Sequence, residues 1–388
     1  MKVKNDKNVI PVPEIKLSKK KLKARDSEQR RQRKEERALK FLQNTNTDIK
    51  PFYKKGFNNI CGVAEGRKYT ISIAVPGSIL DNAQSMEYKC LMIAQIARAA
   101  AIYSVDEIVV YDEDGKLPTK INDDGSNEID QGRCIEELLS TEEDFNPCVL
   151  MAFILKYMDT PEYLRKSLFP QCTCLKNANH LPPLVIPSHL RSGDHFPYRE
   201  GIVLENPQDK SCLKSNLVDI GLNELVEIDI PQNVDSRITV KYNQPICEVV
   251  NRDTPRTKIG AYWGYRVRMA NCLSGVMERS CGFNDKCGDK PTDCQYDLII
   301  GTSEKGTNVD KYEMPKFLHL LLVFGDRQGL EHAISADKAL PKDSQPKSIF
   351  KGYLNTCPNQ ASKTIRTEEA VSISLGALRS KICNKGKK

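Results

Sequence analysis

The sequence predicts an α/β protein whose parallel strands are interrupted by a small β-barrel or sandwich. Three observations predict it. Strand-like runs alternate with helix-period segments towards both ends of the chain. Between them lies a Pro-rich stretch whose short β-like runs recur about every ten residues, the spacing of a small barrel or sandwich. One strand-like run, LHLLLVF at Leu318–Phe324, is apolar apart from His319, which suits a strand buried on both faces.

The elements follow in order. YTISIAV (Tyr69–Val75) alternates and is β-branched, so it is a strand, and it stops at the turn signal Pro76-Gly77. Asp81 and Asn82 are the expected caps of a helix whose apolar face is Met86, Cys90, Ile93, Ala94, Ala97 and Ala101. VDEIVVY (from Val105 to Tyr111) is a second strand, and Asp112–Gly132 a polar, acidic loop. Pro147–Tyr157 and Pro161–Leu168 are helices. Strand, helix, strand implies parallel pairing under a helical layer. Gly201–Leu204, Leu225–Ile230, Ile238–Tyr242 and Ile246–Val250 are the strands of the inserted barrel or sandwich. Ala261–Met269, Tyr296–Ile300, Leu318–Phe324 and Phe350–Leu354 return to the parallel sheet, and a helix at Thr367–Leu378 closes the chain with Glu368 and Glu369 in its first turn. The expected organisation is a basic, largely disordered tail at 1–66, an α/β segment at 67–180, an inserted β-rich domain at 181–258 and a second α/β segment at 259–382.

Charge is uneven. The chain carries a net +7, yet residues 1–40 hold 15 Lys/Arg against 6 Asp/Glu, so the remainder is slightly acidic. Such a basic run suits a polyanion or a nuclear import receptor, or serves only solubility. No apolar run approaches the roughly 20 residues of a membrane span, and the expectation is a soluble, intracellular protein without a membrane partner. Fourteen cysteines lack the paired spacing of a zinc site: Cys172 and Cys174 are one residue apart, and Cys281, Cys287 and Cys294 are widely spaced. No metal is expected.

Three loops follow apolar strands: Gly301–Gly306 (GTSEKG), Gly325–Gly329 (GDRQG) and Asn355–Gln360 (NTCPNQ). In open parallel sheets, ligands bind beyond the carboxyl ends of the strands. Each loop alone is equally a turn. GTSEKG lacks the lysine of a phosphate loop, because Thr307 follows it, and neither G-x-G-x-x-G nor G-x-S-x-G is present in a fitting place.

The motifs PGSILDNAQS (Pro76–Ser85), IARAAAIYSVDEIVVYDE (Ile96–Glu113), GTSEKG, LLLVFG (Leu320–Gly325) and NTCPNQASKTIRTEEA (Asn355–Ala370) together resemble the SPOUT-class RNA methyltransferases. The similarity is greatest to the eukaryotic and archaeal subgroup whose animal members are also described as centromere- or spindle-associated. It covers roughly 67–170 and 196–380; the basic tail, the acidic loop and a cysteine-containing stretch around 278–294 fall outside it. The resemblance implies a deep C-terminal trefoil knot, an inserted OB-like RNA-binding barrel, a homodimer with its knots at the interface, and S-adenosyl-L-methionine (SAM) as cofactor. It implies methylation of ribosomal RNA, at N3 of a uridine in the large subunit, in the nucleus or nucleolus, with spindle, centrosome or kinetochore partners as a further expectation. The alternative is a non-catalytic RNA-binding assembly factor that keeps the fold.

Carried onto this chain, the resemblance places SAM against Thr302, Lys305, Gly325, Asn355, Thr356, Ile365 and Thr367. Backbone groups of a tight loop read adenine, and amide and hydroxyl groups hold ribose and carboxylate. Thr367 is equally a helix cap. Arg366 is the candidate for orienting the acceptor, or else pairs with Glu368 or Glu369, and Glu304 is the candidate acid/base. Arg191, Arg199, Arg256, Lys258, Arg266 and Arg268 are the candidate RNA contacts. Trp263 among them either stacks a base or faces a core.

Overall fold

The computed structural model describes residues 66–121, 127–139, 145–206, 213–242, 245–278, 295–341 and 344–386. The expected tail and the stretch 279–294 lie outside these. The chain opens with β1 (Thr70–Pro76), a 3-10 turn at Gly77–Asn82, helix α1 (Met86–Ile102) and β2 (Glu107–Tyr111). Asp81 and Asn82 lie inside the 3-10 turn, and the cap of α1 is Ser85, whose hydroxyl accepts the Tyr88 amide. A short hairpin, β3 (Thr119–Ile121) with β4 (Asn127–Ile129), interrupts the expected acidic loop. Helices α2 (Gln131–Leu139), α3 (Pro147–Asp159) and α4 (Glu162–Leu168) follow. Asn146 caps α3 through the Cys148 and Val149 amides, and Pro147 opens it where a missing N–H is harmless.

The inserted module is a closed five-stranded barrel of β5 (Tyr198–Val203), β6 (Lys214–Asp219), β7 (Val226–Asn233), β8 (Arg237–Lys241) and β9 (Ile246–Val250). Its strands close in the order β5-β6-β7-β9-β8, antiparallel except for β7 with β9. The barrel is shorter than the expected 181–258, because Leu184 and Ile186 pack into the core of the main sheet instead. The chain continues with α5 (Thr254–Ile259), β10 (Arg266–Ala270), α6 (Leu273–Glu278), β11 (Leu298–Asn308), β12 (His319–Val323), α7 (Leu330–Ala336), α8 (Pro346–Ile349), β13 (Gly352–Asn355) and α9 (Thr367–Lys385).

The main sheet is parallel throughout, in the order β10-β2-β1-β12-β11-β13. Every residue of β1 and β2 is buried. Successive side chains on a strand point to opposite faces, and the two cores obey this. Ile71, Ile73, Val75, Ile108, Val110, Leu320 and Leu322 pack under α1, α3 and α9. Ala74, Val109, Tyr111, Leu321 and Val323 pack on the other face with α6 and α7.

The barrel is fastened to the sheet by a buried charge network. Asp159, at the end of α3, accepts Arg237 from the barrel at 3.0 Å, Arg252 at 2.6 Å and the Tyr265 amide at 3.0 Å. Glu200 on β5 receives Arg237 at 2.7 Å, Thr239 at 2.8 Å and the Trp263 indole. Burial raises the Glu200 pKa, but the guanidiniums of Arg237 and Arg252 with the Thr239 hydroxyl outweigh it and hold the carboxyl below its ordinary value. Trp263 is 3% exposed and stacks on Phe196, with Tyr262 and Tyr265 also buried, so these aromatics are core and not a base-stacking platform. Among the described residues no helix is long and apolar enough to cross a membrane.

Candidate active site

All strands of the main sheet point the same way, so their carboxyl ends gather at one edge. There the loops after β1, β12 and β13 and a bulge of β11 enclose a cavity of about 490 Å³, within the usual range for a small-molecule site. Its wall contains Thr302, Glu304, Lys305, Gly325, Asn355, Thr356, Ile365, Arg366 and Thr367. The structure thus brings together all nine residues proposed for cofactor and catalysis.

The first wall differs from expectation. GTSEKG is no simple turn after a strand: β11 continues through it. Thr302 pairs with Leu354, the chain bulges, and Thr307 pairs with Leu354 again. A Cβ at Gly306 would lie 2.3 Å from the Leu354 carbonyl carbon, so only glycine lets the bulge lie this flat. Thr302 donates its hydroxyl to the Val323 carbonyl at 3.0 Å, fixing the bulge to β12. Lys305 pairs with Glu331 at 3.1 Å. Glu304 is exposed, and its carbonyl accepts the Asn355 side-chain amide at 2.9 Å.

The second wall is Phe324–Gly329. Asp326 accepts the amides of Gln328 and Gly329, which tightens the loop, and Gly329 takes φ +83° before α7 begins. The third wall is Asn355–Arg366. Asn355 bonds the Cys357 amide at 3.0 Å and Thr356 meets Ser374 of α9 at 2.7 Å. Thr367 donates to the Gly325 carbonyl at 2.9 Å, so its hydroxyl ties the third wall to the second. The cap position of α9 belongs to Arg366, whose amide is held by Glu369.

Among the cavity residues that sequence reasoning did not propose, two bear on the chemistry. Tyr88, from the first turn of α1, contributes a ring 37% exposed; the Arg366 guanidinium donates to its hydroxyl and lies 5.8 Å from its ring centre. Glu368 is 4% exposed and faces the cavity; burial raises its carboxyl pKa, and Arg366, 4.0 Å away, only partly offsets that. Arg366 thus touches both partners it was weighed between, the cavity and Glu368.

The candidate RNA contacts separate by burial. Arg199 is 2% exposed and donates to the carbonyls of Ile220, Asp194 and Arg191. Arg256 is 6% exposed and holds the backbone of Arg67, Lys68 and Tyr69 beside Asp106. Both serve the fold, which corrects the expectation for them. Arg266 pairs with Asp253 at 3.0 Å and Arg268 with Glu107 at 3.3 Å, both half-buried. Arg191 and Lys258 are exposed.

The family described as "Putative RNA methyltransferase" matches residues 70–378, which spans the sheet, the barrel and all three walls. The chain belongs to this family. That agrees with the resemblance carried by the motifs. The chain is 43% identical over 321 residues to the human protein named 28S rRNA (uridine-N(3))-methyltransferase, covering 81% of this chain and 78% of that one. It is 42% identical over 322 residues to the mouse protein of the same name, covering 81% and 77%. The Drosophila melanogaster protein of that name is 38% identical over 365 residues, covering 91% and 70%. Among solved structures, the SpoU methyltransferase AviRb of Streptomyces viridochromogenes, in complex with AdoMet, aligns at 9% identity and a TM-score of 0.30 over 85% of this chain and 63% of that one, too little for an argument.

Proposed function

We propose that this member of the family uses SAM to methylate N3 of a uridine in large-subunit ribosomal RNA. The observation that carries the reading is the convergence of three loops, predicted separately from sequence, on one cavity of about 490 Å³. The cavity fits the cofactor. Gly325 lets its loop fold back closely on itself, since a Cβ there would meet the Gly329–Leu330 backbone at 2.7 Å. Amide and hydroxyl groups of Asn355, Thr356 and Thr367, with Thr302 and Ile365, line the same cavity, and these would hold adenine, ribose and the methionine carboxylate. Lys305 closes the rim. When bound, SAM supplies an electrophilic methyl group on a sulfonium.

The chain's own part is positioning and proton removal. A uridine N3 carries a proton that must leave before or as the nitrogen is methylated. Glu368 is the buried carboxylate of the cavity and is more basic than an ordinary one, so it suits that proton; Glu304 at the exposed rim is the other acceptor. Arg366 presents forked donors to a base carbonyl or phosphate, and Tyr88 offers a ring face beside it. The OB-like barrel, Arg191 and Lys258 would engage RNA beyond the target base. The exposed Tyr88, Leu91 and Ile102 of α1 support a homodimer formed beside the pocket, and the knotted C-terminal segment is carried over from the resemblance of the motifs.

Calorimetric titration of the full chain with SAM tests the reading. Micromolar binding, weakened about tenfold in Asn355→Ala because two walls lose their shared side chain, is the expected result. Absence of binding at millimolar SAM, with and without RNA, would overturn it in favour of a non-catalytic assembly factor.

A further inference from the structure

Glu113, Asp326 and His332 meet behind the second wall of the cavity. Each offers one ligand atom, and the three atoms lie within 4.8 Å of one another. They come from three elements: Glu113 lies just past β2, Asp326 just past β12, and His332 in the first turn of α7.

Their surroundings leave one buried atom of the group, on His332, unsatisfied. Glu113 is 8% exposed; it accepts the Ser78 hydroxyl at 2.6 Å, and the Tyr111 hydroxyl, which donates at 2.7 Å to the Phe324 carbonyl, lies 3.3 Å from its other oxygen. Asp326 uses Oδ1 for its loop amides, and among the described residues its Oδ2 has no hydrogen bond. The Nδ1 of His332 is buried and has no hydrogen-bond partner. Two carboxylates at this separation repel one another, and a buried ring nitrogen without a partner is unfavourable. A cation would neutralise the carboxylate pair, and coordination through Nδ1 would satisfy the ring nitrogen.

We infer that Glu113, Asp326 and His332 form a binding site for a first-row divalent transition-metal cation, of the Mn²⁺ to Zn²⁺ class. The imidazole selects that class, since Mg²⁺ and Ca²⁺ favour all-oxygen shells. At the 4.8 Å limit a central ion would lie about 2.8 Å from each ligand atom, so side-chain shifts of about 0.7 Å reach ordinary bond lengths. Three protein ligands leave positions for water. Asp326 and His332 flank Gly329, so the ion ties the pocket loop to the end of β2 and holds that wall in place.

The test uses the full chain stripped with EDTA and titrated with Mn²⁺, with free aquo-Mn²⁺ followed by electron paramagnetic resonance. One Mn²⁺ per chain is expected, displaced by Zn²⁺ but not by equimolar Ca²⁺. His332→Gln and Glu113→Gln should each weaken binding at least about tenfold, while the exposed carboxylate variant Glu224→Gln binds as the wild type. Far-ultraviolet circular dichroism establishes that each variant is folded, and His332→Gln, at the less buried position, carries the test if Glu113→Gln does not fold. No binding below millimolar Mn²⁺, equal displacement by Ca²⁺, or unchanged binding in folded His332→Gln would overturn the assignment.

Discussion

Gly325→Ala isolates the packing of the pocket from its chemistry. The added methyl would sit 2.7 Å from the Gly329 carbonyl carbon, 2.7 Å from the Leu330 nitrogen and 3.0 Å from the Gly329 Cα, where ordinary contact begins at 3.4 Å. All three are backbone atoms, so no rotamer change relieves them, and the loop must open by about 0.7 Å. Thr367 donates to the Gly325 carbonyl at 2.9 Å. If that carbonyl moves with the loop, the bond stretches to about 3.6 Å and is lost, at about 1 kcal/mol. With about 1–2 kcal/mol of overpacking, the sum of about 2–3 kcal/mol corresponds to a loss of SAM affinity of about 30- to 150-fold. Titration calorimetry reads it, with Gly193→Ala as the control, since nothing lies within 4 Å of a Cβ there and its φ is unexceptional. A folded Gly325→Ala protein binding SAM within twofold of the wild type would refute the placement of this loop in the site.

Further predictions concern the charged groups of the cavity, the barrel seam and the basic surface. Glu368 has its pKa raised by burial, so its basic form appears only above the ordinary carboxyl range; methyl transfer should rise with pH through that value, and Glu368→Gln should remove this limb of the pH–rate profile. The raised pKa also gives stability at low pH that is lost as pH rises through the folded value, so in thermal melts at pH 8 Glu368→Gln should be at least as stable as the wild type. Asp159→Ala leaves Arg237 and Arg252 facing an emptied site and should cost about 3–5 kcal/mol in denaturant unfolding. Arg256→Ala should lower the melting temperature, whereas Lys258→Ala should leave it unchanged and reduce the salt dependence of RNA binding by about one phosphate contact.

Much of the sheet was legible because burial on both faces leaves a one-dimensional signature. β1, β2 and β12 stand where the apolar runs place them, within one or two residues. The barrel strand β6 was missed: KSNLVD is polar apart from Leu217 and Val218, and it is a strand only because β5 and β7 flank it. The bulged β11 reads as a turn because Gly301 and Gly306 are common turn residues, and its continuation depends on pairing with Leu354, distant in sequence. The pocket residues were legible through long motifs, but their interconnection was not. That Asn355 reaches the Glu304 carbonyl and Thr367 the Gly325 carbonyl is a property of loops meeting in space. The same holds for the arginines. Arg199 and Arg256 look like free basic residues until the fold surrounds them with carbonyls, and Glu113, Asp326 and His332 become neighbours only when β2 and β12 flank β1.

The most direct measurement of the central claim is methyl transfer itself. Purified chain, SAM with an isotopically labelled methyl group and large-subunit ribosomal RNA are incubated, and the digested nucleosides are resolved by mass spectrometry. The predicted result is labelled N3-methyluridine at a single site, reduced at least about 100-fold in Arg366→Ala, as for loss of one transition-state donor. Label on another atom or base, or no label from protein shown to bind both SAM and the RNA, would contradict it.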